Sequence, residues 1–427
     1  MRTFVIKGGR KLEGELRVNG GKNAVLPMFT ATLLNGGQNV LHNVPRISDS
    51  FCAMDILREL GCQVTMQGTT VVVDSSGANR WTVSEAHSKE MRSSILFLGG
   101  LLGRFQQAQL HFPGGCNLGT RAINLHLEAL QALGATIECG EWISARTPRL
   151  QGTRLWLDFP SVGATENIML AATTALGETT LVNAAQEPEI VDLARFLNSM
   201  GADIRGAGTG TLRITGVKKL HAAEHCIMPD RIVAGTYLLA AAITSGTLRL
   251  QGAAIPDLVP ILHPLRRMGC YIIDAANAGA PGTCNAGEVR LHGPARLTAL
   301  DRLVTQPHPG FPTDMQAPFM AALSVAAGTT RVEERLFNSR TGHIPALREM
   351  GARITALPDN NAFLVDGVPQ LQGKAVTATD LRCGAALVLA GLAAHGETRI
   401  HDDGHIPRGY EDIAAALRQL GADIATA

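Results

Sequence analysis

Residues 197–204 read LNSMGADI. The same octet pattern, Leu-x-x-[Leu/Met]-Gly-[Ala/Cys]-x-[Val/Ile], returns at 57–64, 130–137, 265–272, 347–354 and 417–424, placing glycines at 61, 134, 201, 269, 351 and 421. Each octet reads as the end of an amphipathic helix, a glycine C-cap and the start of a strand. The spacing of about 70 residues is too long for a solenoid repeat and fits a small helix-and-strand module used six times. A second signal runs in phase with the first, as small-residue apolar helices that end in a glycine turn before a strand. Its glycines are 37, 103, 177, 246, 328 and 396, as in MLAATTALGETTLVN (169–183) and LVLAGLAAHGETRIHD (387–402). Helices apolar on nearly every face belong in a domain centre, and amphipathic ones outside.

Six such modules exceed one core, because single cores stop growing at roughly 250 to 300 residues. The pattern therefore predicts two domains of three modules in a chain of 427 residues, with a boundary near HAAEHCIMPDRIVAG (221–235). The opening MRTFVIKGGRKLEGELRVNGG (1–21) reads as two strands around a Gly-Gly turn. Such strands need a sheet to join, and by pattern they could close either domain.

Composition narrows the function classes. Lys plus Arg number 38 against 37 Asp plus Glu, a net charge of +1, so no global field draws in nucleic acid or an anionic membrane. No apolar run approaches the roughly 18 residues that span a bilayer, and the first residues lack a signal-peptide core. The cytoplasm is the expected location. The eight cysteines form no C-x-x-C pair and no cluster with histidine. That argues against a zinc site or a disulfide framework. Cys62 and Cys270 fill the alanine slot of the octet and are expected to be small buried hydrophobes.

Cys116 is different. In LHFPGGCNLGTRAINLH (110–126) it sits on a glycine-rich turn with Arg121 five residues on, a setting in which a guanidinium lowers a thiol pKa. Other candidates stand where inner helices begin: Lys22 and Asn23, Arg92, Ser161 with Gly163, Asp230 with Arg231, Asp314, and Asp380 with Arg382. Parallel helix N-termini gathered at one end would favour anions. Arg121, Arg340 and Arg408 add cations on turns that follow strands. His308, His343 and His405 lie in similar turns and could move protons near neutrality, although such residues more often bond to backbone.

Seven segments carry a resemblance: GGKNAVLP (20–27), FPGGCNLGTR (112–121), PSVGATENIM (160–169), EPEIVD (187–192), FPTDMQA (311–317), TDLR (379–382) and RGYE (408–411). In this order and spacing the chain resembles the UDP-N-acetylglucosamine enolpyruvyl transferase family, from end to end. The resemblance implies an α/β fold, a two-domain inside-out α/β barrel with six β-α-β-α-β-β units, three per domain. It places residues 21–228 in the first domain, and 1–20 with 229–427 in the second, the active site lying between them. It implies transfer of the enolpyruvyl group of phosphoenolpyruvate to the 3-hydroxyl of UDP-N-acetylglucosamine by addition and elimination, the first committed step of peptidoglycan synthesis. No metal or other cofactor is implied, and the partners are those two small molecules.

By the same resemblance Cys116 supplies the acid and can carry a phospholactoyl adduct, and its alkylation accounts for inhibition by fosfomycin. Asp314 faces the acceptor hydroxyl. Phosphoenolpyruvate falls to Lys22, Asn23, Arg121, Arg340, Arg382 and Arg408, whose charges suit a phosphate and a carboxylate. The nucleotide falls to Arg92, the turn Arg121, Ala122, Ile123, Asn124 and Leu125, the segment Ser161, Val162 and Gly163, Asp314, and the turn near Leu336. Ala122 stands where proline is common, Asn124 and Pro407 where aspartate is, and Val233 where an acid is frequent. Losing proline frees φ in the uracil turn. Two other readings are an enolpyruvyl transferase for another nucleotide or shikimate 3-phosphate, and a silent sugar-nucleotide-binding regulator. Joint retention of Lys22, Cys116, Asp314 and Arg408 argues against the silent form.

Overall fold

The computed structural model describes residues 2–114, 123–275, 287–359 and 361–427. They divide into two compact units, one of residues 20–114 with 123–228 and the other of 2–19 with 229–427. We call these the N-terminal and C-terminal units.

Each unit has three inner helices packed on one another. In the N-terminal unit they are Lys22–Ala31, Leu96–Phe105 and Val162–Ala172; in the C-terminal unit, Arg231–Ile243, Gln316–Leu323 and Leu381–Ala393. From Ala164 to Ala172 every residue of the third inner helix is buried, as an apolar, alanine-rich helix requires. Small residues let these helices approach. Gly99 donates its amide to Asn167 Oδ1 at 2.7 Å, and a Cβ on Gly99 would collide with Asn167. Asn167 also donates to the Ile95 carbonyl at 3.0 Å, so this buried amide is satisfied where two helices touch.

The amphipathic helices lie outside: Ser48–Glu59, Asn124–Ala132, Pro188–Ser199, Ile255–Arg267, His343–Glu349 and Ile413–Gln419. Helix Pro188–Ser199 buries Ile190, Leu193, Phe196 and Leu197 while Arg195 is exposed. A short helix, Glu85–Glu90, is an element that the six-module pattern did not contain.

Each module contributes a four-stranded sheet of one plan. In the third module Glu178–Val182 runs parallel to Arg154–Trp156, the strand that leads into the inner helix, and antiparallel to Thr211–Thr215, which pairs with Asp203–Arg205. The six octet glycines explain the recurrence of the hairpin. All have φ between 94° and 98°, a left-handed conformation that ends the outer helix and starts the strand. The second glycine set behaves less uniformly. Gly177, Gly328 and Gly396 are left-handed, but Gly36, Gln106 and Ser245 take that role in the other three modules. Gly103 instead lies inside helix Leu96–Phe105, where a Cβ would sit 3.0 Å from Leu34 Cδ2 and 3.1 Å from Thr174 Oγ1.

The N-terminal strands resolve what pattern alone left open. Arg2–Lys7 inserts antiparallel between Glu397–Asp402 and Asp423–Thr426, filling the last strand position of the sixth module. Glu13–Arg17 pairs in parallel with Thr247–Ala253, so both opening strands belong to the C-terminal unit. Within the N-terminal unit Glu224–Cys226 pairs in parallel with Gln38–His42.

Cys62 and Cys270 are buried, and burial pushes both thiols up to about 12, so they pack as hydrophobes. Among the described residues Cys52, Cys62, Cys139, Cys270 and Cys383 are free thiols, and Cys226 is disulfide-bonded. Among the described residues no helix is long and apolar enough to cross a membrane.

Candidate active site

The C-terminal unit assembles its charged residues around one carboxylate. Asp314 lies in a 3-10 turn, Thr313–Met315, that leads into inner helix Gln316–Leu323, and its side chain does not cap that helix. Its Oδ1 accepts from Arg340 Nη2 at 2.8 Å and its Oδ2 from Arg382 Nη2 at 2.6 Å. The two arginine side chains are only 5% and 7% exposed, so the contacts are shielded from water and salt. Burial alone would raise the Asp314 pKa. The guanidiniums of Arg382 and Arg340 outweigh it and hold the carboxyl well below the usual range. Two arginines rather than a helix N-terminus therefore keep Asp314 ionised.

Both arginines are positioned from behind. Arg340 Nη1 donates to Thr313 Oγ1 at 2.8 Å, and its guanidinium carbon lies 4.9 Å from the centre of the Phe337 ring. Thr313 in turn donates to Glu334 Oε2 at 2.8 Å. Glu334 Oε1 accepts from Thr305 Oγ1 and the Leu336 amide, each at 2.9 Å, and from the Phe337 amide at 3.2 Å. Leu336, an expected nucleotide contact, thus has its N–H engaged by Glu334. On the other side, the buried Arg382 follows Asp380, whose Oδ1 accepts from the Arg382 and Cys383 amides at 2.8 and 3.1 Å. The Tyr410 hydroxyl bonds to Arg382 and to Thr236 Oγ1, the latter at 2.9 Å. Burial opposes the Arg382 charge, but Asp314, with Tyr410 and Asp230 behind it, raises its pKa. Arg408 is half-buried in the 3-10 turn Ile406–Arg408, two residues before Tyr410.

Two inner helices of this unit differ from the anion-seeking N-termini expected of them. Asp230 caps Arg231–Ile243 through the Ile232 and Val233 amides, and Asp380 caps Leu381–Ala393. A carboxylate cap satisfies the donors that an anion would use, so these two helix starts are already occupied. His343 does not titrate near neutrality. Burial, opposed by Asp380, pushes it down to about 4, and its Nε2 lies 3.1 Å from Met320 Sδ. It is neutral and enclosed at physiological pH, unlike a proton shuttle.

In the N-terminal unit Lys22 opens inner helix Lys22–Ala31, whose N-cap Gly21 offers no side chain to the first amides. Its ammonium pairs with Asp49 Oδ2 at 2.6 Å, both groups largely buried. Asn23 beside it is half-buried. Arg92 begins a 3-10 turn, Arg92–Ile95, and burial lowers its pKa. His126 is pushed down to about 3, chiefly by burial and further by the Arg92 charge; its Nδ1 lies 3.0 Å from Asn167 Nδ2. Ser161 caps Val162–Ala172 through Ala164 N at 3.3 Å, and Gly163 leaves room for His126, since a Cβ there would sit 3.1 Å from its Cε1. Asn124 starts Asn124–Ala132 and donates to Glu128 Oε1 at 3.3 Å, with Ile123 and Leu125 beside it. Cys116, Arg121 and Ala122 lie outside the described residues.

Three contributors went unnoticed in the sequence: Asp49, Glu334 and Tyr410. Asp49 carried a signal, being an acid in the first turn of an outer helix as Glu189 is in the third module. Tyr410 lies within RGYE, but only the packing shows its hydroxyl on Arg382.

The sequence pattern of the EPSP synthase (3-phosphoshikimate 1-carboxyvinyltransferase) family matches residues 6–417. The chain belongs to that family of enolpyruvyl transferases. It is similar to UDP-N-acetylglucosamine 1-carboxyvinyltransferase 1 of Halalkalibacterium halodurans, 45% identical over 99% of this chain and 94% of the relative. It is also similar to UDP-N-acetylglucosamine 1-carboxyvinyltransferase 2 of Caldanaerobacter subterraneus subsp. tengcongensis, 46% identical over 99% of both. Among solved structures, the enolpyruvyl transferase NikO from Streptomyces tendae superposes with a TM-score of 0.86 at 26% identity, over 100% of this chain and 98% of that one. EPSP synthase from Acinetobacter baumannii shares the fold, with a TM-score of 0.79 at 19% identity over 100% of both chains.

Proposed function

We infer that the protein transfers the enolpyruvyl group of phosphoenolpyruvate to the 3-hydroxyl of UDP-N-acetylglucosamine, releasing phosphate, in peptidoglycan synthesis. The observation that carries this is identity of 44 to 46% over 99% of the chain to 1-carboxyvinyltransferases of that acceptor. The two units are the two lobes of the enzyme, 21–228 and 1–20 with 229–427, and it works in the cytoplasm.

In the addition step the hydroxyl oxygen bonds to C2 of phosphoenolpyruvate, its proton passes to a base, and an acid delivers a proton to C3. In the elimination the C2–O bond to phosphate breaks and C3 gives a proton back, so no net proton is consumed on carbon. Asp314 is the base at the hydroxyl and Cys116 the acid at C3. Lys22, Asn23, Arg121, Arg340, Arg382 and Arg408 hold the phosphate and carboxylate. Arg92, Arg121 to Leu125, Ser161 to Gly163, Asp314 and Leu336 hold the nucleotide. Support comes from the Arg340–Asp314–Arg382 cluster and from Lys22 standing at an uncapped helix start. The test is phosphate release from phosphoenolpyruvate with UDP-N-acetylglucosamine, UMP or shikimate 3-phosphate. Release with the first alone is expected; release with shikimate 3-phosphate alone would refute the acceptor.

A further inference from the structure

Asp314 is held in a way that disables the role assigned to it. A carboxylate whose two oxygens each accept from a buried guanidinium is a weak base, yet the reaction asks it to take a proton from a sugar hydroxyl. The arginines that hold it are the ones proposed to hold phosphoenolpyruvate. We propose that in the free enzyme the Asp314 carboxylate stands in for the substrate's anionic group between Arg340 and Arg382, and that phosphoenolpyruvate displaces it. The base becomes competent only once the electrophile is in place. This rests on the assignment of Arg340 and Arg382 to phosphoenolpyruvate.

Three observations carry the exchange. Asp314 divides its oxygens, giving each guanidinium one hydrogen bond, whereas an incoming carboxylate or phosphate can meet a guanidinium with two. Arg340 has a vacancy for the second bond, because its Nε is buried without a hydrogen-bond partner although the side chain is 5% exposed. Third, neither arginine depends on Asp314 for its place. Thr313 and the Phe337 ring hold Arg340, and Tyr410 with the Asp380-capped backbone holds Arg382. Asp314, on a 3-10 turn and 20% exposed, is the member free to move. The neutral His343 lies within electrostatic reach of Arg340 and of Asp380; Tyr410 and Asp230 act on Arg382, and Glu334 lies behind Thr313. Released from both cations, Asp314 regains proton affinity toward the ordinary carboxylate range. The enzyme thereby avoids deprotonating its acceptor before there is a carbon to attack.

The test titrates the Asp314 side-chain carboxyl by carbon-13 NMR in the whole enzyme, free and saturated with phosphoenolpyruvate but without nucleotide. The signal is assigned from Asp314→Asn, or from Asp314→Glu should the first fail to fold. The midpoint is expected to move upward on binding. Calorimetry on folded Asp314→Asn should show phosphoenolpyruvate binding tighter by about tenfold, since the internal competitor is gone. An unmoved midpoint in a wild-type enzyme that binds phosphoenolpyruvate and turns over would overturn this proposal alone. Failure of the wild type to bind phosphoenolpyruvate or to release phosphate would overturn it together with the assigned reaction.

Discussion

Glu334 organises the turn on which the site depends, and two substitutions there give separable outcomes. The residue is 3% exposed and accepts four hydrogen bonds, three on Oε1 and one on Oε2. At a net worth of about 0.5–1.5 kcal/mol each, losing all four costs about 2–6 kcal/mol. Two of the donors are amides of the half-buried Leu336 and Phe337, where water can enter, which places Glu334→Ala near about 2–4 kcal/mol. Glu334→Gln keeps an oxygen for Thr305, Leu336 and Phe337 and loses only the acceptor for Thr313, a cost of about 0.5–1.5 kcal/mol. Urea unfolding of the three proteins measures the difference. Because Thr313 also receives Arg340, the alanine variant should raise the KM for phosphoenolpyruvate by about tenfold, if 1.4 kcal/mol of that loss falls on the arginine. Equal stability for both variants, or an alanine variant within 0.5 kcal/mol of wild type, would refute the view that Glu334 braces this turn.

Glu166 is buried, and desolvation, with Glu189 and Glu187 adding to it, raises its carboxyl well above the usual value. A raised acid costs stability as pH climbs past its unfolded pKa of about 4.3, at up to about 1.4 kcal/mol per pH unit. Glu166→Gln should therefore be more stable than wild type at pH 8 and equal to it near pH 4, a difference that denaturation at the two pH values reads directly. Asp49→Ala removes the 2.6 Å partner of the buried Lys22 ammonium and should cost about 3 kcal/mol. Phosphate buffer should return part of that loss relative to chloride, and identical curves in the two buffers would count against an anion site at Lys22. Cys116→Asp should make the enzyme resistant to fosfomycin while leaving measurable turnover; full sensitivity would remove the thiol from the mechanism.

Much of the fold was legible because it is periodic. A left-handed residue after each outer helix admits little besides glycine, so Gly61, Gly134, Gly201, Gly269, Gly351 and Gly421 announce six modules. The inner-helix glycines were a weaker guide, since Gln106 and Ser245 adopt the same conformation without being glycine. The destination of Arg2–Lys7 was not legible from pattern, because its partners are Glu397–Asp402 and Asp423–Thr426, nearly the whole chain away. Site residues followed the same division. Asp314, Arg340 and Arg382 stood out in FPTDMQA, SRTG and TDLR, but that they bond to one another is a product of tertiary packing. The same limit hid the roles of Asp49 and Glu334, which show only once Lys22 and Thr313 are placed against them. Which of its expected roles His343 takes was not legible, because sequence does not show the enclosure that holds it neutral.

The acceptor decides the account, and mass spectrometry of the sugar nucleotide after incubation with phosphoenolpyruvate and enzyme reads it without a coupled assay. The expected product is UDP-N-acetylglucosamine carrying one enolpyruvyl group, in amounts equal to the phosphate released and absent with Asp314→Ala. Unmodified UDP-N-acetylglucosamine, alongside enolpyruvyl transfer to shikimate 3-phosphate or to no acceptor, would contradict it.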